Sequence, residues 1–288
     1  MPSGIEIDHS QPLNGSMASY AQQVLISTGQ RDWLSRIEDD GMDKGWGTLA
    51  RQLKKLLGRN GKFSDPYNNI MITNSSFKPS NSSSTQTPAT ASAFLFPSFR
   101  YIPDIPLDVE GLDRFVKAFL LPITPHTAHD ILPEEKRNSM KRIPELADAF
   151  TPTTIVEHSP TILICGHGGR DQRCGELGPI LKSEFTLALQ REGFTVGESA
   201  VDQKDHANVG IISHIGGHKF AGNVIIYLPT ALKSSEGRLH SLAGKGIWYG
   251  RVEPRHVEGI VKETILNGLV IQDHFRGGID KDGKVLWL

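Results

Sequence analysis

"TILICGHGGRDQRCGELGP", residues 161 to 179, opens with β-branched and apolar residues and then breaks into a glycine- and arginine-rich run that carries both cysteines of the chain, Cys165 and Cys174. A short apolar run bounded by glycine reads as a buried strand, and the residues after it read as a loop. Pro179 stands where a helix tolerates proline best, in the first turn, and Leu181, Phe185, Ala188 and Leu189 then follow at one-face helical spacing up to Gly193. The stretch therefore reads as strand, cysteine loop and helix. Two soft ligands alone complete no metal site, so the cysteines are open to three uses: a disulfide, a dithiol redox pair, or half of a site finished elsewhere.

Working outward, "FTVGESA" (194–200), "VGIISHI" (209–215) and "NVIIYLP" (223–229) read as strands. A last helix starts at Pro254 and carries Val257, Ile260, Val261 and Ile265 before Asn267 and Gly268 close it. Strand, helix, strands, helix is the order of a thioredoxin-like α/β sandwich. The first half has a similar order. "VLIST" (24–28) precedes a helix marked by Leu49, Leu53, Leu56 and Leu57, and "NIMITN" (69–74) and "SAFLFPSF" (92–99) read as strands. Asp108 then opens a helix with Leu112, Phe115, Val116 and Phe119 on one face, stopped by Pro122.

The expected fold is thus α/β: a thioredoxin-like domain over residues 159–288, preceded by an α/β domain over 1–122 whose order admits a cysteine-less repeat of the same unit. Residues 123–158, rich in His, Pro and alternating charge, read as a connecting segment. The tract "SSFKPSNSSSTQTPATA" (75–91) reads as a disordered surface loop, too polar to bury anything.

Composition removes several function classes. Lys and Arg number 31 against 32 Asp and Glu, so no basic field favours nucleic acid. No apolar run reaches the roughly 20 residues that span a bilayer. Two cysteines in 288 residues are no disulfide scaffold, which points to a reducing compartment or to cysteines kept for chemistry. Residues 1–30 contain no Lys or Arg, so neither a presequence nor a secretory signal is written there; the segment reads as a polar lead-in or as what remains after a targeting segment is removed. No G-x-G-x-x-G follows a strand, and no substrate site is identifiable.

Ligands to finish the site are supplied by "SHIGGHKFAGN" (213–223), where His214 and His218 flank Ile-Gly-Gly. Imidazoles at i and i+4 can converge on one centre, and the glycines let the backbone bend tightly there. Cys165, Cys174, His214 and His218 then form a Cys2His2 set. A zinc finger pairs H-x3-H with cysteines two to four apart, whereas these lie nine positions apart, a span that suits an object larger than one ion. A [2Fe–2S] cluster is such an object, and two His replace two Cys on one iron in Rieske centres.

"CGHGGRDQRCGELGP" (165–179), "HIGGHKFAGNVI" (214–225), "GIWYGRVEP" (246–254) and "HFRGGID" (274–280) together resemble the sucrase/ferredoxin-like family of thioredoxin-fold [2Fe–2S] proteins, with a weaker likeness through "VLISTG" (24–29). The resemblance implies that Cys165, Cys174, His214 and His218 ligate a [2Fe–2S] cluster, that the chain works in electron transfer or thiol redox chemistry with a redox partner protein, and that it is mitochondrial, in matrix or intermembrane space, with the cytosol as the alternative. Two ferric ions and two sulfides carry two net positive charges; four thiolates overcompensate them, while two thiolates and two neutral imidazoles balance them. Such a site is easier to reduce than an all-cysteine one, and its imidazoles can couple the electron to a proton. A structural Zn2+ site and a metal-free dithiol oxidoreductase are the competing expectations, although C-x8-C lacks the tight geometry of C-x-x-C.

Neighbouring residues have plainer readings. His167 is expected to hydrogen-bond within its loop. Arg170, Asp171 and Arg173 read as a solvated loop braced by ion pairing, and Trp248 and Tyr249 as core.

Overall fold

The computed structural model describes residues 4–80, 90–150, 152–234 and 237–288. Strand β1 (Gln22–Ser27) is buried along its whole length. Helix α1 (Gly45–Leu57) lays Leu49, Ala50 and Leu53 on the sheet, and β2 (Ile70–Ser75) returns parallel to β1 with Ser27 opposite Ser75. Strands β3 (Thr90–Phe96) and β4 (Arg100–Pro106) add antiparallel on the other side of β1. Helix α2 (Val109–Phe115) is capped by Asp108, whose carboxylate accepts the Gly111 N–H at 2.8 Å, and it continues as a π turn through Val116–Leu120. The connecting segment holds the short helix α3 (Glu134–Ser139) and strand β5 (Thr154–Ile155), which pairs with β4.

The second half repeats the plan. Strand β6 (Thr161–Cys165) leads into α4 (Gln172–Arg191) and the short β7 (Thr195–Gly197); β8 (His206–Ile212) lies parallel to β6 with Ile212 opposite Cys165. Strands β9 (Val224–Leu228) and β10 (Lys245–Tyr249) add antiparallel, and α5 (Val257–Ile260) again runs on as a π turn, Val261–Leu266. Strands β11 (Phe275–Ile279) and β12 (Val285–Leu286) finish the edge.

All pair into one sheet in the order β12-β11-β10-β9-β6-β8-β2-β1-β3-β4-β5, with β7 beside β8. Outward from β8 and β2, whose ends meet antiparallel at Ser75 and Ile212, the two sides match in strand type as far as β11 and β5, with β12 left over at one edge. The first half is therefore a topological repeat of the second, and Ser27, at the end of β1, occupies the place that Cys165 takes at the end of β6. The two halves also share a core. Phe96 stacks on Tyr227 with ring centroids 3.9 Å apart. A buried hydrogen-bond chain runs from Trp248 Nε1 to Tyr20 (2.9 Å), between Tyr20 and Tyr227 (2.7 Å), and from Tyr227 to Gln23 (2.7 Å). A second apolar cluster, including Val24, Leu53, Phe115 and Phe119, sits under α1 and α2.

Three expectations change. Helix α4 begins at Gln172, so Pro179 lies inside it and Cys174 stands on its first turn rather than in a loop. The capping carboxylate of Asp171 outweighs the local proline signal there: it accepts the Arg173 N–H at 3.1 Å. The polar tract does bury something, because Ser75 ends β2 and Phe77 is fully buried; residues 81–89, its middle, lie outside the described residues. Strand β4 escaped notice because its sequence, RYIPDIP, carries two prolines and two charges.

Candidate metal centre

Cys165 closes β6, and Cys174 is the third residue of α4; both are buried free thiols. Paired glycines let the helix press onto the strand end. A Cβ at Gly178 would stand 2.5 Å from the Gly166 α-carbon, and one at Gly175 would stand 2.6 Å from that of Gly168. No other residue allows this approach, and it is what brings the two thiols face to face.

The histidine arm leaves the end of β8. His214 follows Ser213, and the chain then turns through Gly216 (φ 88°) and Gly217 (φ 73°), two successive left-handed residues that suit glycine alone, before His218 starts a 3-10 turn. Donor atoms of Cys165, Cys174 and His214 lie within 4.8 Å of one another. His218 stands outside that triplet and faces solvent, its ring centroid 5.3 Å from that of His214.

Charge at the site is uneven. The Cys174 thiol hydrogen-bonds to Cys165 and holds it well below the ordinary thiol range, against its burial and with help from His214; Cys174, the proton donor, is pushed up by the same bond and by burial. His214 Nδ1 is buried and has no hydrogen-bond partner. A buried nitrogen left without a partner costs about 1–3 kcal/mol, so it marks a place where a ligand belongs.

His167 behaves as a hydrogen-bonder, with a longer reach than its loop. Its Nε2–H donates to the carbonyls of Trp33 and Leu34 at 3.0 Å each, and its Nδ1 accepts the backbone N–H of His214 at 3.0 Å. The first half thereby braces the histidine arm, and Asp32 adds a carboxylate that accepts the Gly169 N–H at 3.1 Å. Arg173 pairs with Asp171 at 2.8 Å, and Trp248 and Tyr249 are core. Two participants were not read from the sequence. Arg276 on β11 is 1% exposed and donates from Nη1 to Asn223 Oδ1 at 2.6 Å. Asn223 in turn donates to the Gly217 carbonyl at 3.0 Å and accepts the Cys165 N–H at 2.9 Å on its own carbonyl. The only sequence signal was an arginine alone in the apolar, glycine-rich strand FRGGI.

The donor set fits an iron–sulfur cluster. Two sulfurs and an imidazole with an orphaned nitrogen converge, and a second imidazole stands beside the first, a donor set of the kind that holds a cluster with two Cys and two His. No helix among the described residues is long and apolar enough to cross a membrane.

Residues 13–277 match the family model described as sucrase/ferredoxin-like. "Altered inheritance of mitochondria protein 32" of Debaryomyces hansenii is 30% identical over 97% of this chain and 90% of its own length. The protein of the same name from Meyerozyma guilliermondii is 33% identical over 65% of this chain and 56% of its own. A solved thioredoxin-like [2Fe-2S] ferredoxin from Aquifex aeolicus aligns with 41% of this chain and 90% of its own, at 13% identity and a TM-score of 0.28. With the family model spanning residues 13–277, the chain belongs to the sucrase/ferredoxin-like family.

Proposed function

We propose that this chain is a [2Fe–2S] redox protein in which Cys165, Cys174, His214 and His218 hold the cluster, acting in electron transfer or thiol redox homeostasis. The convergence of two free thiols and His214, with its buried unpartnered Nδ1, carries the reading. When bound, the cluster would supply one-electron chemistry. The chain's own residues do the rest. Cys165 and Cys174 would enter as thiolates, so binding would release thiol protons. His214 and His218 contribute no charge, and each imidazole keeps one nitrogen able to hold a proton, coupling proton to electron. The second half supplies every ligand, and the first serves as its brace through His167. The names of the relatives favour a mitochondrial setting.

Iron and acid-labile sulfide assays on anaerobically purified full-length protein test the proposal. Wild type should carry both in equal amounts, with a red-brown colour, and Cys165→Ser or Cys174→Ser should lose both. Colourless protein containing zinc and no sulfide would instead establish a structural zinc site. Full iron in both serine variants would remove the ligand assignment.

A further inference from the structure

Arg276 is the one buried group at this end of the sheet whose charge nothing described answers. Its side chain is 1% exposed, and it takes part in none of the ion pairs among the described residues. Every partner it has is neutral. Nε donates to Ser16 Oγ at 3.0 Å, Nη2 to the Ser16 carbonyl at 2.6 Å, and Nη1 to Asn223 Oδ1 at 2.6 Å and the Gly216 carbonyl at 3.3 Å. The guanidinium lies over the rings of Phe220 and Trp248, 5.5 and 5.6 Å from their centroids. A buried cation without an anion is costly, and neutral hydrogen bonds with aromatic faces recover only part of that cost.

Its position says what the missing anion is. The guanidinium presses on the His-Ile-Gly-Gly-His turn so closely that a Cβ on Gly217 would fall 2.6 Å from Nη2. Through Asn223 it is tied to both arms of the site, the Gly217 carbonyl on one side and the Cys165 N–H on the other. Burial lowers the affinity of Arg276 for its proton, to a pKa of about 10.

We infer that Arg276 is a positioning residue and the resident counter-cation of the Cys/His centre: it holds the histidine turn against the Cys165 strand, and its fixed charge favours the state with one added electron. This rests on the cluster reading given above. Reduction without proton uptake adds one negative charge to the centre, taken from an external one-electron donor, and a nearby buried cation stabilises that charge most where water is excluded. Asn223 and Arg276 thus set the potential without being ligands.

The test uses loaded full-length protein, titrated optically with dithionite at fixed pH, with visible circular dichroism to check that the centre is intact. Arg276→Gln should lower the reduction equilibrium constant at least tenfold, a fall of 59 mV for one electron. Arg276→Lys keeps the charge but cannot span Ser16, Gly216 and Asn223; it should keep the potential and lose iron faster. An unchanged potential in Arg276→Gln with an intact spectrum overturns the inference. If that variant retains no iron, Asn223→Asp decides, because it places a carboxylate on Nη1: a lowered potential with an intact spectrum supports the inference, and an unchanged one overturns it. Wild type without iron and sulfide would sink the cluster reading itself, an outcome distinct from failure of the variants alone.

Discussion

Replacing Gly178 by alanine tests whether the thiol pair depends on α4 lying against the end of β6. The new Cβ would stand 2.5 Å from the Gly166 α-carbon, 3.1 Å from the Cys165 carbonyl oxygen and 3.3 Å from the Gly166 nitrogen. All three are backbone atoms that cannot rotate aside, so the helix must withdraw by roughly 1 Å to restore ordinary contact. Overpacking of this kind costs about 1–3 kcal/mol, and so close a clash belongs at the upper end. Alanine recovers about 1 kcal/mol over glycine inside a helix. The net loss of about 2 kcal/mol corresponds to a fall of roughly 3 °C in Tm for a chain of 288 residues. Cys174 sits one turn before Gly178 and retreats with the helix, so iron retention should fall as well. Gly259→Ala is the matched control: that glycine, in α5, has nothing within 4 Å of the new Cβ, so the substitution should raise stability by up to about 1 kcal/mol and leave iron alone. Melting followed by circular dichroism, with iron assayed on the same samples, reads both effects. Wild-type Tm and iron in Gly178→Ala, alongside the expected gain in Gly259→Ala, would refute the close-packing argument.

Four further outcomes are expected. A fragment of residues 155–288 contains all four proposed ligands but loses the Trp33 and Leu34 carbonyls from His167, and Tyr20 and Phe96 from Trp248 and Tyr227; it should take up iron, lose it faster than the full chain and dissolve poorly, as gel filtration with iron assay would show. His167→Ala should leave iron uptake intact while speeding iron release to a chelator, because it frees the His214 N–H, a bond worth about 1 kcal/mol; iron release at the wild-type rate would deny His167 its bracing role. The reduction potential should be flat at low pH and then fall by up to about 59 mV per pH unit once an imidazole proton is lost from the oxidised state; a potential constant from mildly acidic to alkaline pH would exclude proton coupling. Burial lowers the pKa of His240 from its ordinary 6.5, so the folded chain resists protonation that the unfolded chain accepts. Stability should be insensitive to this group above that value and decline below it, and His240→Asn should weaken the decline in thermal melts at mildly acidic pH.

The elements that alternate cleanly between apolar runs and turns were legible: β1, β2, β6, β8 and β9 lie where their sequences place them, and Asp108 and Gly58 mark real helix ends. Pro179 misled because a residue's local preference yields to a better cap upstream. The full length of α4 depends on Asp171, and on Gly175 and Gly178 facing a loop that only the fold brings there. Of the site, Cys165, Cys174 and His214 converge as their residue types and spacing suggested, while His218 stands beside them and outside the tight group. Arg276, Asn223 and the Trp33–Leu34 carbonyls were invisible for a simple reason: each lies far along the chain from at least one group it serves, and backbone carbonyls leave no trace in side-chain identity.

A strand order that matches outward from a single central junction also dictates a sequence of events. Among the described residues, β2 with β8 is the only strand pairing that joins the first half to the second, so every other pairing of the first half can close while the second is still being synthesised. That early sheet cannot rest, because the face carrying Leu25, Phe94 and Phe96 finds its cover only when Tyr227 and its neighbours arrive. The later half therefore folds onto a waiting aromatic template, and Cys165, Cys174, His214 and His218, all beyond residue 164, come together last. Loading of the proposed cluster would on this account be the closing step of assembly, and a chain arrested before it should be the form that chaperones hold.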